Sequence, residues 1–94
     1  MSDEIQEHIE WFFAQKKIPV IVEHRNRGYS MFRFDTGEPI ARLRRIPKED
    51  YFEVLWWSHK EKWDHIGDWG GLIQPLDEAL EYILKDPMGC FWYS

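Results

Sequence analysis

The side-chain types that zinc prefers gather in the last third of the chain. His59, Asp64, His65 and Cys90 supply imidazole, carboxylate and thiol groups, which are the usual ligands of protein zinc sites. Two histidines on one strand at this spacing lie about 20 Å apart at about 3.3 Å per residue, so they share a metal only if a turn at 60–61 folds them together. Because no compact His/Cys motif is present, we favour two solvent-facing histidines in a hairpin. We expect no metal and no cofactor.

Cys90 is the one cysteine of the chain, which excludes an internal disulfide framework. A cysteine nucleophile needs a basic neighbour that favours the thiolate. Cys90 stands between the apolar residues Met88 and Phe91, and free cysteine is among the most buried residue types. We therefore predict that Cys90 is structural and inert, and we favour a protein that is not an enzyme. A small metal- or cysteine-dependent enzyme that uses His59, His65 and Cys90 stays an alternative.

The basic residues are concentrated in the middle of the chain, although the net charge is −5. Residues 16–48 hold nine Lys and Arg against three acids, whereas residues 1–15 and 49–94 are both acidic overall. All six arginines lie between Arg25 and Arg45. The negative total argues against a general nucleic-acid binder, while the basic middle keeps an anionic ligand or a nucleic acid as an alternative.

The length and composition indicate one folded domain. Ninety-four residues suit a single core, and 44% apolar residues, with six Trp, six Phe and four Tyr, supply the buried surface. We therefore treat 1–94 as a single domain. No stretch approaches the about 18 apolar residues of a membrane span, and the first four residues are acidic where a signal peptide would be basic. These features predict a cytoplasmic protein that does not contact a membrane.

Two segments have the apolar spacing of amphipathic helices. The spacing predicts a helix over 3–16, which Ser2 or Asp3 can cap, and a second helix over 75–85, which Asp86-Pro87 ends. The residues of the two apolar stripes are Ile5, Ile9, Phe12 and Phe13 in the first, and Leu76, Ala79, Leu80, Ile83 and Leu84 in the second.

Between the helices the apolar period changes to two, which predicts strands over 20–25, 29–34, 40–46 and 51–58. A fifth short strand is expected over 62–66, before the glycines at 67, 70 and 71 break the pattern. The connections are too short for parallel crossovers, so the strands form an antiparallel meander. The predicted fold is an α+β two-layer sandwich in the order α-β-β-β-β-(β)-α. The apolar tail 90–93 is expected to dock against the sheet or a helix.

Several motifs of the C-terminal half occur together in a known family. They are Val54-Leu55-Trp56-Trp57, Lys62-Trp63, the helix from Pro75 to Lys85, and the ending from Asp86 through Gly89-Cys90-Phe91-Trp92. These segments resemble a family of small bacterial proteins known as domain of unknown function 3024. In that family a Lys-Trp-His triplet follows the tryptophan-rich strand, whereas here Asp64 follows Trp63 and His65 comes one place later. The resemblance implies a bacterial, intracellular, single-domain protein and implies no particular chemistry.

Successive side chains of a strand point to opposite sides of the sheet, so alternation divides the residues of each strand into two sets. On the second strand Phe32 and Phe34 oppose Tyr29, Met31 and Arg33, and on the third strand Ala41 and Leu43 oppose Ile40, Arg42 and Arg44. If the helices cover the set that contains Phe32 and Leu43, the other face is open. On the fourth strand Tyr51, Glu53, Leu55 and Trp57 join that open face, or lie on the covered face in the reverse register, because this strand is apolar on both sides. The candidate binding residues are then Tyr29, Arg33, Arg42, Arg44, Tyr51 and Trp57.

Guanidinium groups beside aromatic rings suit a partner with negative or aromatic groups, because they form forked bonds to carboxylate or phosphate while the rings stack. We therefore predict a non-enzymatic binding module for an unknown protein or anionic partner, and nucleic acid stays an alternative. A further alternative is that Asp50 and Glu53 pair with the arginines and that the arginine stems shield the rings. The sequence leaves the oligomeric state open.

Overall fold

The protein is described by a computed structural model that covers residues 3–47, 51–58, 60–66, 71–87, 89 and 91–92. Within these residues two helices and six strands follow one another in the predicted order, with one strand more than expected. The elements are α1 (Glu4–Gln15), β1 (Val20–Arg25), β2 (Gly28–Arg33), β3 (Pro39–Ile46), β4 (Tyr51–Trp57), β5 (Trp63–His65), β6 (Leu72–Pro75) and α2 (Leu76–Lys85).

Helix α1 is capped by Asp3, one of the two candidate cap residues. The Asp3 carboxylate accepts the backbone N–H groups of Ile5 and Gln6, both at 3.1 Å. These bonds satisfy two of the donors that a helix start leaves without helical partners. The helix buries three residues of its predicted stripe, Ile9, Phe12 and Phe13.

The strands form one antiparallel sheet in which β1 to β5 are neighbours in chain order, as the meander prediction requires. Asn26 and Arg27 alone connect β1 to β2, with φ 52° and 62°, which is the combination of a type I′ hairpin turn. A bulge interrupts the β2–β3 ladder between Met31 and Phe32. Ile40 is the extra residue on β3, and it is buried in the core.

Strand β6 was not predicted from the sequence, and it shares one edge of β4 with β5. The β5 residue His65 faces Leu55, while the β6 residue Leu72 faces the preceding β4 residue, Val54. The two strands therefore pair with the same edge of β4 at adjacent positions. The glycines predict a break here, and the strand pattern resumes at once after Gly71, whose φ is 86°.

Both helices pack on the same face of the sheet, which confirms the two-layer α+β arrangement. Phe13 of α1 and Leu80 of α2 belong to one buried cluster with Met31, Leu43 and Val54 of the sheet. The helices hold 12 and 10 residues, and no helix in the described ranges has the length and apolar composition to cross a membrane.

The end of α2 holds the apolar tail. Asp86 ends the helix with a left-handed backbone, φ 47°, and its carboxylate accepts the N–H groups of Phe91 and Trp92 at 3.2 and 3.1 Å. The indole of Trp92 donates to the Ile83 carbonyl at 2.7 Å, and Phe91 is buried. The prediction that the tail docks is therefore confirmed for these two residues.

The predicted assignment of β2 to the sheet faces is wrong. The register pairs Tyr29 with Leu43 and Met31 with Ala41, and directly paired residues share a face. Tyr29 and Met31 are 3% and 0% exposed, and Arg33 alternates onto the same side. Tyr29 and Arg33 are thus not on the face that points away from the helices. Because β2 is apolar on both sides, alternation defines two sets of residues without deciding which set is buried.

Candidate functional site

The sheet face that points away from both helices is called the open face here. The strand register identifies the residues of this face, because two directly paired residues on neighbouring strands point to the same side of the sheet. Its side chains include Ile21, Ser30, Phe32, Arg42, Arg44, Tyr51, Glu53, Leu55, Trp57, Trp63, His65 and Ile73.

Glu53 lies at the centre of the open face, and its side chain is only 2% exposed. Arg44 is its direct partner on β3. His65 on β5 faces Leu55 and is therefore the diagonal neighbour of Glu53 on the same side. The Arg44 guanidinium donates to one carboxylate oxygen and His65 Nδ1 contacts the other. A buried acid is thus held between two basic groups from flanking strands.

Both basic groups stay accessible although the acid between them is buried. The side chains of Arg44 and His65 are 51% and 60% exposed. With Glu53 ionised, His65 Nδ1 is the donor, and Nε2 is the nitrogen on the far side of the ring. A carboxylate that orients a histidine in this way fixes its tautomer and ring direction. The three residues together present two positioned polar groups to the surface.

The Glu53 carboxylate also restricts the backbone beside it. A Cβ atom on Gly71 would overlap the Glu53 side chain, and the φ of 86° at Gly71 is disfavoured for any other residue. Gly71 therefore allows the backbone to lie close to the Glu53 carboxylate just before β6.

Arg42 does not present its guanidinium to a partner, because the protein's own groups bind it. Its Nη1 donates to the Ser30 hydroxyl at 2.7 Å, and its Nη2 donates to the Arg25 carbonyl at 2.7 Å and to the Asn26 carbonyl at 3.3 Å. Burial, and then repulsion from Arg44, lower the pKa of Arg42. Arg42 thus holds the β1–β2 turn in place.

Apolar side chains flank the charged centre of the open face on both sides. On one side Trp63 packs edge-on against Trp57, with ring centroids 5.1 Å apart, and against Phe32 at 6.5 Å. On the other side Tyr51 and Ile73 are 39% and 46% exposed. The open face therefore combines an oriented charge cluster with accessible apolar surface.

Four of the six residues predicted for binding meet on this face, Arg42, Arg44, Tyr51 and Trp57. Tyr29 is in the core, and Arg33 lies on the helix side, where it pairs with Asp35 at 3.3 Å. One alternative was that Glu53 and Asp50 pair with the arginines. Arg44 does pair with Glu53, and Asp50 lies outside the described residues.

His65, Trp63 and Ile73 belong to the open face and were missed as binding candidates. The period-two spacing of Trp63 and His65 is the signal in the sequence that places them together. Asp64 lies between them on the opposite face, so it and His65 do not converge on one metal. Among the described residues no group of three or more His, Cys, Asp or Glu side chains is arranged to hold a metal ion. His59 and Cys90 lie outside those residues.

The fold and the open face define a small α+β protein in which both described helices cover the same face of the sheet. A family model, Domain of unknown function (DUF3024), matches residues 2–93, so the chain belongs to that family. The match extends the resemblance seen in the C-terminal half to almost the entire chain. Neither the curated proteins nor the solved structures contain a match to this chain.

Proposed function

We propose that this protein is a non-enzymatic binding module of the bacterial cytoplasm, and that its open face engages a segment of a partner protein. The segment presents an acidic side chain to Arg44, and apolar side chains to Tyr51 and Ile73. The observation that carries the proposal is the buried Glu53 carboxylate, which orients two accessible basic groups on the open face.

A contribution to stability alone is a weak explanation for this cluster. Replacing a buried ion pair by apolar residues of similar volume is often neutral or stabilising, because desolvation offsets the attraction between the charges. On the open face, Glu53 removes rotational freedom from Arg44 and His65 before any partner arrives, and such preorganisation lowers the entropic cost of binding. Arginine and aromatic residues are also enriched at the centres of protein interfaces.

The charge distribution favours a protein partner over a nucleic acid. Of the two arginines on β3 that reach this face, Arg42 donates to backbone carbonyls of its own chain and Arg44 donates to Glu53. A phosphate backbone requires several uncompensated basic groups in a row, and the chain carries a net charge of −5. Exposed apolar groups such as Ile73 instead gain from burial against protein.

Selection from a random peptide library displayed on phage tests this function with the intact chain. We expect enriched peptides to combine Asp or Glu with neighbouring apolar residues. Their affinity should fall by about tenfold, equivalent to about 1.4 kcal/mol, on Arg44→Ala. Ile73→Ser lies outside the ion cluster and should weaken the same peptides, so the test does not depend on one variant that also alters folding.

Arg33→Ala is the matched control, because it removes a guanidinium from the helix side of the sheet and should leave peptide affinity unchanged. Peptides that bind Arg44→Ala and Ile73→Ser at full strength would overturn the proposed face. Salt-sensitive binding to nucleic acid in place of peptide binding would overturn the choice of partner.

A further inference from the structure

A second candidate site lies on the helix side of the sheet, at the end where the β1–β2 hairpin meets β3. It is a cavity of about 320 Å³ lined by His24, Arg27, Tyr29, Arg45 and Pro47. Ligand pockets in proteins begin at about 300 Å³, so this volume suits a small molecule. The cavity shares no lining residue with the open face.

Arg27 occupies a backbone position that favours glycine. It is the second residue of the type I′ turn, with φ 62°, and a left-handed backbone costs about 1 kcal/mol or more for a residue with a side chain. Strain of this kind is found preferentially at functional sites. Here it brings a long, exposed cationic side chain to the edge of the cavity.

Contacts from β3 hold this turn. Arg42 donates to the carbonyls of Arg25 and Asn26, and the backbone N–H of Arg45 donates to the Arg27 carbonyl at 3.0 Å. Three successive carbonyls of the hairpin are thus bound by β3. The position from which the Arg27 side chain extends is therefore defined before any ligand binds.

An aromatic pair forms the wall of the cavity. The ring of His24 stacks on Tyr29, with centroids 4.2 Å apart and an interplanar angle of 17°. Asp3 holds both rings, since its carboxylate pairs with His24 Nδ1 at 2.7 Å and accepts the Tyr29 hydroxyl at 3.1 Å.

The Asp3 carboxylate beside the aromatic pair is held by several donors. Burial by itself raises the pKa of Asp3, but the hydrogen bonds from Gln6 and Tyr29 and the charge and hydrogen bond of His24 outweigh it, so the pKa lies below its ordinary value. The N–H groups of Ile5 and Gln6 occupy the same carboxylate. Among the residues that the structure describes, Arg27 and Arg45 are the arginines of the lining.

We propose that this cavity binds a small ligand that carries an oxyanion, phosphate or carboxylate, on a planar ring. The guanidinium of Arg27 forms charge-assisted hydrogen bonds to the oxyanion. The planar body of the ligand packs against the His24 ring, which stacks on the buried Tyr29, because aromatic rings favour offset or edge-on contacts. The ligand occupies the face of the sheet opposite to the proposed protein partner, so the two sites are tested separately.

Titration of the full chain with phenyl phosphate, benzoate and inorganic phosphate, followed by NMR shifts of the His24 ring and the Tyr29 amide, tests the proposal. We expect phenyl phosphate or benzoate to bind more tightly than inorganic phosphate, and the tighter of the two identifies the preferred oxyanion. Arg27→Gly should raise its Kd by about tenfold or more. The same variant should melt at an equal or higher temperature, because glycine relieves the left-handed backbone.

Lys17→Gly is the matched control, since Lys17 is also exposed, has φ 61° and does not line the cavity. It removes the same charge and relieves the same backbone conformation, and it should change the Kd by less than about twofold. Equal binding by wild type and Arg27→Gly would overturn the site. Equal binding of inorganic phosphate and both ring compounds would overturn the planar part of the ligand.

Discussion

The guanidinium of Arg42 on β3 lies against Gly28 on β2, so closely that a Cβ atom at Gly28 would be 2.5 Å from Arg42 Nη2. The absent side chain lets Arg42 cross β2 and reach the carbonyls of Arg25 and Asn26 on the far side. Arg42 on β3 thus stabilises the turn that connects β1 and β2.

Gly28→Ala is expected to displace Arg42 and destabilise the protein by about 1 to 2 kcal/mol, the contribution of hydrogen bonds from a charged donor. Arg42→Met should cost a similar amount, because it leaves the same carbonyls without these bonds. Urea denaturation of the two single variants and of the double variant measures the coupling. The double variant should be less destabilised than the sum of the two.

Arg33→Met is the control for loss of a guanidinium, since Arg33 forms an exposed ion pair with Asp35 and exposed ion pairs contribute little to stability. Strict additivity of Gly28→Ala and Arg42→Met would show that the two residues act independently.

Removing only the two partners of the buried Glu53 carboxylate should destabilise the protein more than removing the carboxylate together with its partners. Arg44→Met combined with His65→Leu removes both partners and is expected to cost about 3 kcal/mol or more, because an uncompensated carboxylate stays buried. Adding Glu53→Leu removes that charge and should recover most of the loss. Urea unfolding of the double and triple variants measures the recovery, and a triple variant no more stable than the double would contradict the prediction.

Stability should decrease at alkaline pH because of Tyr29. Burial, then the hydrogen bond to Asp3 and the charge of that carboxylate, raise the pKa of Tyr29 to about 12, against an opposing effect of Arg45. An unfolded tyrosine has a pKa of about 10, so between these values the unfolded chain releases the proton while the folded chain keeps it. The free energy of unfolding is therefore unaffected by this group below pH about 10 and falls as the pH rises towards 12.

Tyr29→Phe removes this dependence. The wild type should lose about 2 kcal/mol more than Tyr29→Phe between pH 9 and 12, measured by urea denaturation at each pH. At pH 7 the variant should be less stable by about 1 kcal/mol or more, through loss of the bond to Asp3. Tyr51→Phe, at a position 39% exposed, is the control; parallel pH curves for wild type and Tyr29→Phe would contradict the prediction.

Substitution of Asp86 tests which interaction holds Phe91 and Trp92 at the end of α2. Its backbone is left-handed, φ 47°, so Asp86→Gly relieves the conformation and is expected to stabilise the protein if only the backbone matters. We expect the opposite, a loss of about 1 kcal/mol, because the carboxylate accepts the N–H groups of Phe91 and Trp92. Hydrogen exchange of the Trp92 indole N–H, which donates to Ile83, should accelerate in the same variant.

Local patterns in the sequence predicted most of the elements. Helical spacing identified α1 and α2, and the buried stripes agree with it. The change to period two, with turn residues between the runs, identified β1 to β5. Strand β6 was missed because four residues after a glycine-rich stretch have no periodicity of their own, and their strand conformation depends on pairing with β4.

The candidate site was predicted in part. Arg42, Arg44, Tyr51 and Trp57 meet on the open face as alternation predicts. Alternation does not indicate that Arg42 binds its own backbone, because its carbonyl partners are 16 and 17 residues away. The family match does not indicate what the candidate site binds, because the family has no assigned function.

The sequence by itself determined the α+β class, the meander order and the sets of residues that share each side of a strand. These properties follow from backbone periods and turn lengths, which act over a few residues. The tertiary structure alone decided which side of β2 is buried and which groups meet Glu53. Tyr29 became a core residue through its pairing with Leu43, and His65 reached Glu53 through the pairing of β5 with β4. Both outcomes depend on register between strands and on burial against the helices, and these long-range interactions leave no periodic signal in a single strand.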